Sequence, residues 1–179
     1  VIGVASLIAV TAVSAGAEAD VAASIRRLGA NVVVVDGEFV SVGTRQSATD
    51  RTITPDDVTA IGKLPMIDAV APHQDIEGLL VSSGRQKTTT WLVGMTPSYA
   101  DLHNQHVIAG RLITPADIAF GRSVAVVGLR PRAKLFPSGD PIGRTIRIGQ
   151  YLYRVLGLLE AKGNSPFGED QDQVVLMPL

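Results

Sequence analysis

The stretch that decides the fold begins with SVAVVGLRPRAKLFPSGDP at residues 123–141. Its first six residues, Ser123–Gly128, are almost all apolar and predict a buried strand. Residues 130–136 predict a short helix, which ends in the turn-forming sequence PSGDP at residues 137–141. The elements predicted along the chain are thus a mixture of strands and short helices. The predicted fold class is therefore α+β.

Hairpins are predicted on both sides of this stretch. Residues 145–155, TIRIGQYLYRV, alternate apolar and polar side chains around a Gly-Gln turn, which is the pattern of a hairpin. Residues 76–82 and 86–93 predict two longer strands joined by a Ser-Gly turn, with threonines and Trp91 supplying residues that favour strands. A further strand is predicted at residues 174–177.

Earlier in the chain, the sequence predicts a strand–helix–strand unit. The valines of residues 32–35 predict a strand covered on both faces. Thr54-Pro55-Asp56-Asp57 marks a helix start, with a hydroxyl cap, proline at the first helical position and an acid at the capping-box position. Residues 67–71 predict the next strand. Further Thr-Pro starts at Thr96 and Thr114 predict two short helical turns.

The chain opens with an uncharged apolar run, VIGVASLIAVTAVSAGA, at residues 1–17. As a helix it would span roughly 25 Å, somewhat less than the roughly 30 Å hydrocarbon layer of a bilayer. We interpret it as the C-terminal part of a transmembrane helix. Two alternatives stay open, a buried core helix and a signal peptide, because Ser14–Ala17 resembles a cleavage region although no basic segment precedes it here.

The apolar run continues into an amphipathic segment at residues 18–29. Val21, Ile25 and Leu28 follow the spacing i, i+4, i+7 and so form one apolar stripe on a helix. Two arginines in the last turn and Gly29 mark the helix end. Since no proline interrupts it, one helix is predicted to run from the membrane to the sheet, and the three stripe residues are our candidates for helix packing or force transmission.

Composition and motifs argue against several functional classes. The chain has 16 Lys and Arg residues against 17 Asp and Glu residues, so charge gives no case for a nucleic-acid partner. It contains no cysteine, which excludes disulfides and thiolate chemistry. The sequence lacks the nucleophile-elbow, phosphate-loop, dinucleotide and zinc-protease motifs. We therefore predict no catalytic residue, no cofactor and no metal site.

The histidines and the acidic run were the candidates for a metal site. His103 and His106 are three residues apart, a spacing that on a helix would place both rings on one face and could begin a zinc site. Since His73 lies far away in the sequence, no third histidine is expected nearby, and we interpret the pair as solvated or capping. The acidic run at residues 169–172 lacks the ligand alternation of a calcium loop and is interpreted as a solvated turn.

Two arginines and the aromatic residues complete the candidates for binding. Arg111 and Arg144 each follow a glycine and could form an anion clamp, but Gly-Arg pairs are common in turns, so we assign them no role. The one tryptophan and three tyrosines are too few and scattered for a base-stacking platform. We interpret them as core or interface residues.

The order of segments is more informative than any single residue. The matching pieces, in chain order, are IGVASLIAVTAVSAGA, SIRRLGANVVVV, the Thr-Pro-Asp-Asp helix followed by LPMIDAVAP, TTTWLVGMTPSYADL, IAGRLITPADI and residues 123–179. In this order the chain resembles the MacB-like periplasmic core domain of ABC-transporter permeases of the FtsX/MacB type. The resemblance covers essentially the whole chain, and residues 124–179 are its most specific part.

This resemblance implies a two-lobed extracytoplasmic domain that follows the partial transmembrane helix. Residues 30–95 would form the first half of a porter-like lobe built from strand–helix–strand units. Residues 96–162 would form an inserted, smaller α/β lobe, and residues 163–179 the truncated return to the porter-like lobe. The second half of that lobe would lie beyond Leu179.

The resemblance also implies a function. It is that of a permease domain that couples cytoplasmic ATP hydrolysis to export, or to activation of a periplasmic partner, by mechanical transmission. The domain would not be an enzyme, since the ATPase would lie in a separate nucleotide-binding domain or subunit. The implied partners are the membrane, that ATPase, a second permease copy and, in some members, a periplasmic adaptor protein.

The implied location is the bacterial inner membrane, with this domain on the periplasmic or extracellular side. The alternative hypothesis is an exported soluble protein, either a ligand-binding protein or an enzyme, with an N-terminal signal peptide. The two hypotheses differ in the fate of the apolar run at residues 1–17, which would stay in the membrane in the first case and be removed in the second.

Overall fold

The computed structural model describes residues 32–35, 53–165, 168 and 170–179, and all structural statements below concern these residues. The helices are α1 (Pro55–Ile61), α2 (Pro97–Leu102), α3 (Pro115–Ala119) and α4 (Leu129–Leu135). The strands are β1 (His73–Ser83), β2 (Gln86–Met95), β3 (Val107–Gly110), β4 (Val124–Val127), β5 (Thr145–Ile148), β6 (Tyr151–Leu159) and β7 (Val174–Pro178). The prediction of a fold that mixes helices and strands is confirmed.

The seven strands form one sheet, and six of them close into a ring. β1 pairs antiparallel with β2, β2 pairs parallel with β7, and β7 pairs antiparallel with β4. From β4 the pairing continues in parallel to β6 and then antiparallel to β5, which itself pairs antiparallel with β1. Six strands therefore close a ring, and β3 lies outside it as an antiparallel neighbour of β6.

Closure of the ring gives the sheet two buried faces. The first core contains buried residues from all six ring strands, so it lies inside the ring: Val81, Leu92, Ala125, Val127, Ile146, Ile148, Val155 and Val175, with Leu135 and Phe136 from the end of α4. The second core lies outside the ring and joins residues of four strands to two residues of α2: Val93, Met95, Val126, Leu159, Val174 and Leu176, with Tyr99 and Ala100 of α2 and with Ile113. Neighbouring residues of a strand point to opposite faces, so strands such as β4 must be apolar throughout.

The structure confirms the elements that were predicted from strong local patterns. All four residues of β4 are buried, as the uninterrupted apolar run indicated. Both hairpins are present, and each turns at a glycine with positive φ, Gly84 at 58° and Gly149 at 58°. The three Thr-Pro starts begin α1, α2 and α3.

The strand predicted at residues 32–35 is wrong. These four residues form no strand, and Val33, Val34 and Val35 are exposed, Val33 to 82%. A strand needs a hydrogen-bonded neighbour, and the ring closes entirely among β1, β2, β4, β5, β6 and β7. Composition predicted a preference for extended backbone but could not supply the partner.

The strand predicted at residues 67–71 is also wrong. This segment runs irregularly from α1 to β1, and side-chain hydroxyls rather than a neighbouring strand bind its carbonyl groups. The strand–helix–strand unit therefore keeps only its helix, and α1 has no buried residue. Strand β3 was not predicted, because its four residues are mostly exposed and carry little apolar periodicity.

The same helix-start sequence, Thr-Pro-x-Asp, occurs in two different environments. In α1, the Asp57 carboxylate accepts hydrogen bonds from the backbone N and Oγ1 of Thr54, and the group is exposed. In α3, Asp117 binds Thr114 in the same way but is fully buried.

The buried Asp117 is neutralised by two arginines. Arg111 donates Nη1 and Nη2 to its two carboxylate oxygens at 2.6 and 3.0 Å, and Arg122 donates Nη1 at 3.2 Å. These bonds, that of Arg111 first, hold the pKa of Asp117 well below its usual range. Arg111 is thus part of a structural ion-pair network.

We predict that Asp117→Asn lowers the free energy of unfolding by about 2 kcal/mol, because it removes charge-assisted hydrogen bonds at a buried site. Asp57→Asn is the matched control, since it alters the same capping sequence where solvent surrounds it, and it should leave stability near that of the wild type. Urea unfolding monitored by circular dichroism measures both. Equal losses from the two substitutions would contradict a special role for the buried network.

Candidate functional site

The stripe residues proposed from the sequence, Val21, Ile25 and Leu28, lie outside the described residues. Their role in helix packing or force transmission therefore stays a prediction, as does the membrane helix at residues 1–17. Within the described part of the chain, each helix is too short and too polar to cross a membrane. The candidate site that the structure does describe is the place where the segment preceding β1 is fastened to the sheet.

Helix α2 fastens that segment by side-chain hydrogen bonds at its first turn. Thr96 donates Oγ1 to the carbonyl oxygen of Pro72 at 3.2 Å, and Ser98 donates Oγ to that of Val70 at 3.2 Å. Ala71 between them packs against the outer core. We call this contact, residues 70–73 with α2, the junction.

Three aromatic rings extend the junction. His73, the first residue of β1, lies 5.0 Å from Tyr99 between ring centroids, and Tyr99 stacks on His103 at 4.1 Å. His73 and His103 meet edge to face at 6.1 Å. Tyr99 belongs to the outer core, so the rings connect the entry of β1 to the packed face of the sheet.

The electrostatics of the junction follow from its burial. Burial, followed by electrostatic interaction with the His73 and Lys162 side chains, lowers the pKa of His103 to about 4, so this ring is neutral at pH 7. Burial, followed by the negative charge of Asp75, raises the pKa of Tyr99 to about 12. Burial also lowers the pKa of Lys162, which donates Nζ to the carbonyl oxygen of His103.

Lys162 connects the junction to the loop that precedes β7. Its backbone N donates to Oδ1 of Asp172 at 2.7 Å, and Gly163 donates its N to Oδ2 of the same carboxylate at 3.3 Å. A displacement of residues 70–73 is thus opposed by bonds that reach from α2 to the start of β7. These groups bind one another, so the arrangement supports attachment rather than chemistry.

The histidine arrangement differs from that expected from the sequence. Helix α2 ends at Leu102 and His103 is its C-cap, so His103 and His106 do not share a helical face. His73, which the sequence placed far away, lies beside His103 because β1 and α2 meet at the junction. Among the described residues, no three histidine, aspartate or glutamate side chains converge on a possible metal position.

The acidic run and the aromatic residues were the other candidates from the sequence. Asp170 accepts a hydrogen bond from Nε of Arg130 at 2.8 Å, while Asp172 binds backbone N–H groups, so the acidic run organises its own loop. Glu169 lies outside the described residues. Of the aromatic residues, Tyr99 is buried, as a core role requires, and Tyr151 is exposed, so the interface role expected for such residues stays a prediction.

Several apolar side chains are exposed on the segments that precede β1. They belong to two stretches: Val33, Val34, Val35, Leu64 and Met66. Met66 is 91% exposed and α1 beside it buries no residue. Within the described residues, these side chains are not covered by the sheet or by its helices.

Solved structures share this fold. The chain superposes on the periplasmic region of MacB from Actinobacillus actinomycetemcomitans with a TM-score of 0.64 and 23% identity, covering 86% of this chain and 67% of that one. It superposes on the extracellular domain of the noncanonic ABC-type transporter YknZ from Gram-positive bacteria with a TM-score of 0.62 and 18% identity, covering 78% and 70%. The fold is therefore that of extracytoplasmic domains found in ABC-type transporters.

The sequence comparison places the chain more narrowly. A family model described as the MacB-like periplasmic core domain matches residues 1–179, and the chain belongs to this family. It is 35% identical over 180 residues to the macrolide export ATP-binding/permease protein MacB of Rhodospirillum rubrum, and 34% identical to the pyoverdine export ATP-binding/permease protein PvdT of Pseudomonas entomophila. All or nearly all of this chain is aligned, but it spans only 27% of the length of either relative.

The pKa of His103 generates a prediction about the junction. Between pH 6.5, the ordinary histidine value, and pH 4, His103 is protonated in the unfolded chain but neutral in the folded one, so stability falls as the pH drops through this window. His103→Phe keeps a ring to stack on Tyr99 but cannot bind a proton. The fall in thermal midpoint from pH 7 to pH 5 should therefore be smaller in this variant than in the wild type.

The matched control is His106→Gln, which removes an exposed histidine of the same segment. It should retain the pH dependence of the wild type. If both variants lose as much thermal midpoint as the wild type between pH 7 and pH 5, the folded structure does not lower the pKa of His103, and this account of the junction is wrong.

Proposed function

We propose that this chain is the extracytoplasmic domain of an ABC-transporter permease, which couples cytoplasmic ATP hydrolysis to export or to activation of a periplasmic partner by mechanical transmission. The observation that carries the proposal is the match of the MacB-like periplasmic core domain family to the whole chain. The names of its relatives, which are ATP-binding/permease proteins, support it.

The other segments of such a protein would supply the ATPase and the further membrane helices. Because the chain corresponds to about a quarter of each relative's length, the proposal assigns the ATPase to a separate domain or subunit and further membrane helices to other segments. The chain itself would then be no enzyme and would need no cofactor or metal. Its partners would be the membrane, the ATPase, a second permease copy and, in an adaptor-dependent system, a periplasmic adaptor.

The junction gives the proposal a mechanical route. The helix at residues 1–29 would leave the inner membrane on its periplasmic or extracellular side and carry motion along the Val21, Ile25 and Leu28 stripe. The chain then reaches residues 70–73, where Thr96 and Ser98 fasten it to the sheet. Since the sheet is a closed ring, force delivered there would move the domain as one body.

The exposed apolar residues before β1 support the predicted two-lobed organisation. If residues 30–95 and 163–179 are only part of a porter-like lobe, its other half would cover the exposed valines at residues 33–35 and the apolar residues after α1. The parallel pairing of β2 with β7 supports grouping these two segments. The inserted lobe at residues 96–162 would share the ring with them through the β4–β7 and β1–β5 pairings.

Membrane extraction tests the proposed topology. We predict that the full-length protein stays in the membrane pellet during alkaline carbonate extraction, because residues 1–17 are uncharged and would form part of a membrane-spanning helix. Immunoblotting of pellet and supernatant measures the distribution. Recovery in the supernatant, in a processed form that begins after Ala17, would instead support the exported soluble protein.

A helix-breaking substitution tests the proposed mechanism. Ala22→Pro should interrupt the helix between the membrane and the junction, because an interior proline removes a backbone hydrogen bond and costs about 3 kcal/mol. In the full-length transporter reconstituted in vesicles, basal ATPase activity should persist because it resides elsewhere. Transport or partner activation should be lost.

Ala22→Ser is the matched control, since serine keeps the backbone N–H and changes the side chain little. It should transport like the wild type. A normally folded Ala22→Pro protein with wild-type transport would show that the helix is only a tether and that force reaches the domain by another route.

A further inference from the structure

The part of the chain from α4 to β6 concentrates positive charge. Residues 129–154 contain five arginines, one lysine and a single carboxylate, Asp140, although the whole chain has a formal net charge of −1. Only Arg130 among these side chains has a carboxylate within ion-pair distance in the part of the chain that the structure describes, Asp170 at 2.8 Å. The remaining charges are not neutralised by described ion pairs.

Three of these arginines meet at the loop between α4 and β5. Arg132, on α4, donates Nη2 to the carbonyl oxygen of Gly139 at 3.5 Å. Arg144 approaches the same glycine so closely that a Cβ atom there would lie 3.0 Å from its Nη2 atom. Arg154, on β6, lies on the other end of the loop, 3.6 Å from the position that a Cβ atom would take at Gly143. Arg132 and Arg144 therefore lie at one end of this loop and Arg154 lies at the other.

The loop itself is held in a fixed conformation. Gly143 donates its backbone N to the carbonyl oxygen of Val155 at 2.8 Å, which fastens the loop to β6. Gly139 and Gly143 have φ values of 108° and 77°, a region that side chains disfavour. The carboxylate of Asp140 accepts the backbone N–H of Ile142 at 2.9 Å, so the one acid of the loop is already bound.

One donor atom of these arginines has no acceptor within the described residues. The Nε atom of Arg132 is buried and has no hydrogen-bond partner, the only such side-chain atom among the described residues. A buried N–H group without a partner is unusual in a folded protein. The guanidinium of Arg144 lies 6.0 Å from the centroid of the Phe136 ring, a contact that orients its plane.

We infer that Arg132, Arg144 and Arg154, with the α4–β5 loop, bind a phosphate-type oxyanion, either free phosphate or the phosphate of a lipid headgroup. Guanidinium groups match phosphate oxygens through paired N–H donors. A tetrahedral anion offers oxygens toward several sides and so accepts from three arginines at once. A phosphate also carries more negative charge than a carboxylate, which suits a group of three cations.

Calorimetry with inorganic phosphate tests the site directly. The wild-type chain should bind phosphate in a titration at pH 7.5, and sodium chloride at the same ionic strength should give no heat of binding. Arg144→Gln should weaken binding by about tenfold, since it removes one charged, paired donor. The double variant Arg132→Gln, Arg144→Gln should show no measurable binding.

Arg130→Gln is the matched control. It removes one positive charge from the same helix as Arg132, but that guanidinium is already engaged by Asp170, so phosphate affinity should stay within about twofold of the wild type. If Arg130→Gln weakens binding as much as Arg144→Gln, or if chloride competes equally, the positive charge acts diffusely and the proposed site is wrong. Absence of phosphate binding to the wild type overturns it as well.

Vesicle co-sedimentation distinguishes the two sources of phosphate. Binding to phosphatidylcholine vesicles measures attachment through the apolar residues 1–17, and the increase when phosphatidic acid is added measures headgroup recognition. An increase that Arg144→Gln abolishes identifies a lipid phosphate, while calorimetric binding without that increase identifies free phosphate. An Arg144→Lys variant keeps the charge but loses the paired donors, and it should bind phosphate more weakly than the wild type while retaining its urea midpoint.

Discussion

The position of β7 between β2 and β4 is the constraint on which the ring depends. Without β7, the facing edges of β2 and β4 would each present unpaired backbone groups, and both cores would lose residues, Val175 from the inner one and Leu176 from the outer one. The entry of β7 is fastened as well, because the carbonyl oxygen of Gln173 accepts from Oγ1 of Thr90 at 2.8 Å. Gly128 permits the close approach of this entry, since a Cβ atom there would lie 2.4 Å from the carbonyl oxygen of Asp172. Ring closure therefore joins residues more than eighty positions apart in the sequence.

This dependence on distant contacts explains which parts of the fold the sequence could predict. The two hairpins and β4 carry their signals locally, in turn glycines and in an uninterrupted apolar run, and they formed as expected. Residues 32–35 carry an equally strong β-branched signal, yet they form no strand because a strand also needs a neighbour, which no local pattern specifies. Strand β3 shows the converse, since its pairing with β6 gives strand structure to four residues with little intrinsic signal.

The side chains show the same limit. Arg111 and Arg144 both follow a glycine and cannot be distinguished by local sequence. Arg111 binds the buried Asp117, six positions later on α3. Arg144 lies against Gly139, as Arg132 does, and forms no ion pair with a described carboxylate. His73 could not be placed beside His103 from their separation in sequence, because the contact exists only where β1 and α2 meet. Burial and partners, rather than residue type, separate a structural charge from a candidate binding charge.

Under the proposed function, a closed ring and an uncovered apolar segment have complementary roles. A ring of paired strands resists shear, because moving one strand past another breaks hydrogen bonds on both of its sides. Motion delivered to the domain would then not be absorbed inside the ring and would appear at its attachments. The junction is such an attachment, made by hydroxyl-to-carbonyl bonds and stacked rings at residues 70–73. The segments before it, which bury little of their apolar surface within the described chain, are where a partner surface would have to dock for that motion to be passed on.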